Sequence, residues 1–160
     1  GVSKQKVNID TFFYPLDAID HWNRMYGKHG FTQYQFILPK EYSYKGLQEV
    51  LSIIADSGKG SFLAILKLYG KANENYLSFP MEGYSLTLDF KIEKGLFELL
   101  DKLDEIVIKY GGRIYLAKDV RVSRDVFEKG YPQIDIFRRF RKDHGMDKVF
   151  QSLQSKRVGI

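Results

Sequence analysis

Apolar and polar side chains alternate most regularly over Tyr84–Phe90, with Tyr84, Leu86, Leu88 and Phe90 on one side and Ser85, Thr87 and Asp89 on the other. A period of two predicts a strand with one buried face. Phe31–Leu38 obeys the same rule and stops at Pro39: Thr32, Tyr34, Phe36 and Leu38 oppose Phe31, Gln33, Gln35 and Ile37. Phe62–Tyr69 is predicted as a strand with Phe62, Ala64, Leu66 and Leu68 inward, and Arg113–Ala117 as a short fourth one. A helical period takes over in Ser43–Ala55, where Leu47, Val50, Leu51 and Ile54 share a face before the turn Ser57-Gly58-Lys59-Gly60. The longest helical stripe, Leu96, Leu99, Leu100, Leu103, Ile106, Val107 and Tyr110 within Glu93–Tyr110, ends at Gly111-Gly112.

Outside this block, Leu16–Tyr26 reads as a short helix with Ile19, Trp22, Met25 and Tyr26 on one side, after an extended lead-in closed by Tyr14 and Pro15. Gly70–Pro80 reads as a polar connection, Ser123–Glu128 as a short helix and Pro132–His144 as a basic one, with Ile134, Phe137 and Phe140 inward. Taken in order, Phe31–Ala117 gives strand, helix, strand, strand, helix, strand. That is the α+β class with a ferredoxin-like βαββαβ arrangement: an antiparallel sheet with both helices on one face, here with N-terminal and C-terminal helical extensions. One domain spanning 1–160 accommodates all of it, since a chain of this length buries about 70% of its unfolded surface in a single core.

Helices on one side leave the other side of the sheet to solvent, a ligand or another domain. Alternation assigns Gln33, Gln35, Ser85, Thr87 and Asp89 to that helix-free face, joined by Lys67 and Tyr69 if the second strand keeps its phase. Two amides, two hydroxyls and a lysine suit a ligand rich in hydroxyl groups, such as a sugar, because amides and hydroxyls both donate and accept. A plain solvated sheet face has the same composition and is the competing explanation. Lys118 falls in the turn after the last strand, with Asp119 as its candidate partner.

Composition narrows the classes. An apolar content of 44% with 28% charged residues excludes a disordered or fibrous chain. Lys and Arg outnumber Asp and Glu by 25 to 20, a net +5 that permits an anionic ligand without demanding one. The absence of cysteine removes disulfides, thiolate catalysis and Cys-ligated metals. His21, His29 and His144 have no metal-ligand spacing, so no metal site is assigned. Neither a GxSxG elbow nor a GxxxxGK[ST] or GxGxxG loop occurs. No apolar run reaches the roughly 20 residues of a membrane span, and Gly1–Asn8 is polar rather than signal-like, so a cytoplasmic location is expected. The chain opens on Gly1 rather than Met, and a longer parent protein is expected.

RNA-recognition domains share this strand and helix order, and their third strand carries a basic residue, a glycine and base-stacking aromatics. Here that strand begins Glu82-Gly83-Tyr84, and the later stacking positions fall on Leu86 and Asp89. Nucleic acid is therefore not the expected partner. A stand-alone sugar-binding module is the other alternative.

Five ordered motifs carry a resemblance. They are Phe13-Tyr14-Pro15-Leu16-Asp17 with Trp22-Asn23-Arg24; Gln33-Tyr34-Gln35-Phe36 before Pro39; and Leu66-Lys67-Leu68-Tyr69-Gly70. Leu77-Ser78-Phe79-Pro80 with Gly83-Tyr84 and Gly111-Gly112-Arg113 through Tyr115-Leu116-Ala117-Lys118-Asp119 complete the set. Together they resemble the C-terminal substrate (cap) domain of FAD-linked oxidoreductases of the decaprenylphosphoryl-ribose 2'-oxidase type, in the vanillyl-alcohol-oxidase superfamily. The resemblance covers about Phe12 to Phe150. It implies a flavoprotein that oxidises a secondary hydroxyl of a sugar or sugar-lipid by hydride transfer to FAD. It further implies that FAD is held mainly by an N-terminal FAD-binding domain of the same polypeptide, that a reductase is a candidate partner, and that a lipid-linked substrate associates the protein with a membrane.

By resemblance, Lys118 is the catalytic residue that approaches flavin and substrate, and Gln33, Gln35 and Lys67 line the sugar pocket, with Tyr115 of the Lys118 motif beside them. Ser85 and Thr87 stand where family members carry Asn and Cys. These 160 residues alone, without the FAD-binding part, are expected to be inactive.

Overall fold

The elements run α1 (Ile9–Phe13), β1 (Phe31–Pro39), α2 (Lys40–Ser57), β2 (Ser61–Tyr69), β3 (Gly83–Lys91), α3 (Leu96–Lys109), β4 (Arg113–Ile114), α4 (Arg124–Gly130), α5 (Ile134–Asp143), α6 (Met146–Val149) and α7 (Leu153–Val158). They are taken from a computed structural model that describes residues 4–160. Residues 1–3 of the polar opening lie outside the described residues. The sheet is antiparallel with strand order β2-β3-β1-β4. This is the ferredoxin-like α+β arrangement that the alternation predicts.

The two central strands pair over their whole length, from Phe31 opposite Lys91 to Pro39 opposite Gly83. Gly83 fits that last pair because it has no side chain: a Cβ there would lie 1.9 Å from the Leu38 carbonyl oxygen. Tyr34, Phe36, Leu38, Leu86, Leu88 and Phe90 lie under α2 and α3 and are buried with Val50, Leu96, Leu100, Leu103 and Val107. The same core reaches α4, α5 and α7 through Phe127, Tyr131, Ile134 and Val158.

Several expectations are corrected. Leu16–Tyr26 is not one helix: α1 precedes Pro15, two short 3-10 turns follow at Pro15–Ala18 and Trp22–Tyr26, and His21 between them has φ +57°. A left-handed residue breaks any continuous helix. Ile19 and Met25 are exposed, and only Tyr26 of the predicted stripe is fully buried. The second strand also departs from strict alternation. An irregularity between Ser61 and Ala64 shifts its register, and Phe62 turns toward Tyr26, ring edge to face at 5.4 Å. Leu66 and Leu68 keep the predicted side but are exposed, because α2 and α3 cover the centre of the sheet and not this edge. The fourth strand is two residues long rather than five. On α5, Ile134 is buried and Phe137 packs half-buried against the core as expected, but Phe140 is exposed and Arg141 turns inward instead. Arg141 is drawn in by the carbonyls of Met146 and Phe150, which it caps from its guanidinium.

Candidate functional site on the helix-free sheet face

Register fixes which side chains share the face opposite α2 and α3. One row crosses the sheet as Arg113, Ile37, Ser85 and Lys67; the next holds Gln35, Thr87 and Ile65; the third pairs Gln33 with Asp89. Directly paired residues on one face have Cβ atoms about 5 Å apart, so these rows form a continuous surface. Gln35 Nε2 donates to Ser85 Oγ at 3.1 Å, diagonally across the β1–β3 pair. The sequence therefore places Gln33, Gln35, Lys67, Ser85 and Thr87 together, as expected, and no aromatic side chain stands in the central row where an RNA base would stack.

The face is more covered than an open sheet. Tyr26 lies over one end, its hydroxyl donating to Asp89 Oδ2 at 3.3 Å and its ring stacked on Phe31 at 4.4 Å. Burial and the Asp89 carboxylate push the Tyr26 hydroxyl above its ordinary pKa. At the other end Phe79 and Met81 pack on Ile37 with Tyr69 and Tyr115 at their sides, and Arg113 Nη1 donates to the Ser78 carbonyl at 2.8 Å. The segment read as a polar connection thus ends in an apolar cover. Its signal was present as Leu77, Phe79 and Met81 at alternate positions, a short strand-like phase obscured by Pro80.

Between the two covers Gln35, Ser85, Thr87 and Asp89 are buried rather than exposed, whereas Gln33 is half-buried and Lys67 exposed. Two of the buried groups lack a partner among the described residues: Thr87 Oγ1 and Asp89 Oδ1. A buried oxygen left without a hydrogen bond costs about 1–3 kcal/mol, and a ligand donor is one way to recover it. Alternation put Asp89 on this face, but nothing in the sequence singled out its orphaned oxygen, which only the packing of Tyr26 reveals.

Lys118 lies in the turn that follows β4, its amide donating to the Tyr115 carbonyl at 3.1 Å. Tyr115 is half-buried against Phe79, rings 4.5 Å apart, and its amide donates to the Gln35 carbonyl at 2.8 Å. Because β4 stops at Ile114, the edge of β1 below it is bare, and the turn meets it in a narrow cleft lined by Gln33, Gln35, Lys118, Asp119 and Arg121. The cleft holds about 10 Å³, room for roughly one water. Lys118 is exposed and makes no ion pair among the described residues. Its expected partner Asp119 binds the Arg157 guanidinium instead, and the backbone amides of Arg121 and Val122 at 2.9 and 2.7 Å.

Behind the cleft, Arg121 bonds Asp104 at 2.9 Å and Asp101 at 2.5 Å, and Tyr34 donates its hydroxyl to Asp104 at 2.9 Å. Asp104 is 2% exposed. Burial pushes its carboxyl up to about 6, against the opposing pull of Arg121 and Tyr34.

The class is that of a ferredoxin-like α+β sheet, here with two orphaned buried oxygens on its helix-free face and, among the described residues, a lysine without an ion-pair partner at its margin. Over its whole length this chain is 43% identical to decaprenylphosphoryl-β-D-ribose oxidase of Mycolicibacterium smegmatis, of which it covers 35%. It is also 36% identical over 115 residues to a Streptomyces coelicolor protein described as an uncharacterized protein in the mprA 5′ region, an alignment that takes in 71% of this chain and 31% of that protein. No protein-family model matches. The chain belongs to the decaprenylphosphoryl-β-D-ribose oxidase family and so to a family of oxidoreductases. It spans about a third of the length of the curated relatives it matches.

Proposed function

We propose that this chain is the substrate-binding part of an FAD-dependent oxidase that converts a secondary hydroxyl of a sugar or sugar-lipid to a ketone, and that its helix-free face is one wall of the reaction site. The carrying observation is the pair of buried, unpartnered oxygens, Thr87 Oγ1 and Asp89 Oδ1, on a face flanked by Gln33, Gln35 and Lys67. Sugar hydroxyls donate to Asp89 and to Thr87, and the Gln33 amide both donates and accepts. Lys67 brings a compact positive charge to the outer edge of the same face, where it suits a phosphate on the substrate.

The residues at the margin fit a flavin neighbour. Lys118 is an exposed ammonium with no carboxylate of its own among the described residues, the donor chemistry that favours a ring gaining negative charge on reduction. FAD, when bound, supplies the hydride acceptor. The chain has no glycine-rich cradle for a pyrophosphate, and in this reading the remaining two thirds of the polypeptide hold the cofactor and close the site. Lys118 then positions the reacting carbon's oxygen and stabilises negative charge beside it.

Purification of the full-length polypeptide tests this reading. The expected protein is yellow, is bleached anaerobically by a sugar-phosphate lipid, and in the Lys118→Met variant keeps its flavin while bleaching about 100-fold more slowly. A colourless full-length protein, or one bleached by the same substrate at an unchanged rate after Lys118→Met, overturns it.

A further inference from the structure

Among the described residues the Lys118 side chain has no ion-pair partner, and the strand before it ends four residues earlier, at Ile114. Its position is set by what holds the turn. Three acceptors of that turn point to one element, α7. Gln154 Nε2 donates to the Leu116 carbonyl at 2.7 Å, Arg157 Nη1 donates to the Val120 carbonyl at 2.6 Å, and the other Arg157 nitrogen bonds the Asp119 carboxylate. Asp119, 3% exposed at its side chain, passes the constraint on through its other oxygen to the amides of Arg121 and Val122.

The clasp is itself anchored. The α7 helix begins in a reciprocal Ser152–Ser155 capping box, and Val158 is fully buried in the main core. Arg138 of α5 donates to the Gly159 carbonyl at 2.7 Å. A planar guanidinium bonded at once to a carboxylate and a carbonyl restricts orientation as well as distance. A misplacement of about 1 Å at a reacting group can cost about 100-fold in rate.

We propose that α7 sets the position of Lys118, with Arg157 and Gln154 as positioning residues for the reaction; this rests on the role given to Lys118 above. The test uses the full-length flavoprotein with Arg157→Met, Arg157→Lys, Gln154→Leu and Lys118→Met variants. Hydrogen exchange of the peptide 115–122 and the rate constant of flavin reduction by substrate are both measured.

In Arg157→Met, exchange over 115–122 rises by about tenfold while β1 and β3 are unchanged, the expected signature of a local opening. Reduction slows by about 10- to 100-fold with the substrate dissociation constant within about threefold of the parent. Gln154→Leu moves both readouts in the same direction by less, and Arg157→Lys recovers part of the loss. If Arg157→Met does not fold, Gln154→Leu carries the comparison. Reduction within twofold of the parent in Arg157→Met, when Lys118→Met slows it by about 100-fold, overturns the positioning role. So does faster exchange spread evenly over the chain. A silent Lys118→Met instead removes the functional reading itself.

Discussion

Thr87 and Asp104 are both buried polar residues, and they differ in whether the fold answers them. The Thr87 hydroxyl has no partner among the described residues, so its desolvation is not offset within the chain. Thr87→Val keeps the shape and removes the group. The expected result is a protein more stable by about 1 kcal/mol, read as a higher Tm, with sugar affinity about tenfold weaker. A lower Tm would show that the hydroxyl is bonded inside the chain.

Asp104 is answered by Tyr34 from β1 and by Arg121, with Asp101 sharing Arg121 from the same helix. Burial nevertheless raises its pKa to about 6, from an ordinary 3.8. The folded protein therefore holds the proton more tightly than the unfolded chain. This contribution is fully present below about pH 4 and is lost as pH rises through about 6, by up to about 3 kcal/mol. Asp104→Asn keeps an acceptor for Tyr34 and leaves Arg121 with Asp101. Chemical denaturation from pH 4 to 7 should show the parent losing stability relative to this variant across that window. Parallel curves would refute the assignment.

At the scale of elements, β2 and the β1–β3 corner make opposite demands. The corner is tight: Lys40 donates its amide to the Glu82 carbonyl at 3.1 Å, and Gly83 sits where any Cβ would overlap the Leu38 carbonyl. Gly83→Ala should cost about 3 kcal/mol or more, measured by denaturant unfolding, because backbone and not a movable side chain stands in the way. The outer strand β2 is loose. It is an edge with Phe62, Leu66 and Leu68 exposed, a surface prone to pairing with another chain. Leu66→Lys should leave stability within about 0.5 kcal/mol and reduce self-association of the chain in sedimentation experiments. Unchanged association would place the sticky surface elsewhere, for example on Phe12, Phe13 and Tyr14, which are also exposed.

For the whole molecule, the extensions complete what the sheet begins. The N-terminal turns bring Tyr26 over Asp89, and the helices after β4 bring Arg157 back to Asp119, 38 positions earlier in the chain. Among the described residues no helix is long and apolar enough to cross a membrane. The candidate site is thus framed by both ends of the chain, and the sheet carries the frame.

The sequence by itself determined the phase of the central strands, and with it that Gln33, Gln35, Ser85, Thr87 and Asp89 share the face away from α2 and α3, because side-chain direction in a paired strand follows a local period of two. It also located the Lys118 turn, since Gly111-Gly112 closes the α3 stripe and leaves a short strand before it. Tertiary structure alone decided that most of that face is buried, that Phe62 leaves its expected side, that Asp119 serves Arg157 rather than Lys118, and that Asp104 lies behind the cleft with a raised pKa. Each of these depends on contacts between residues far apart in the chain, whose partners and degree of burial no local pattern of apolar and polar positions encodes.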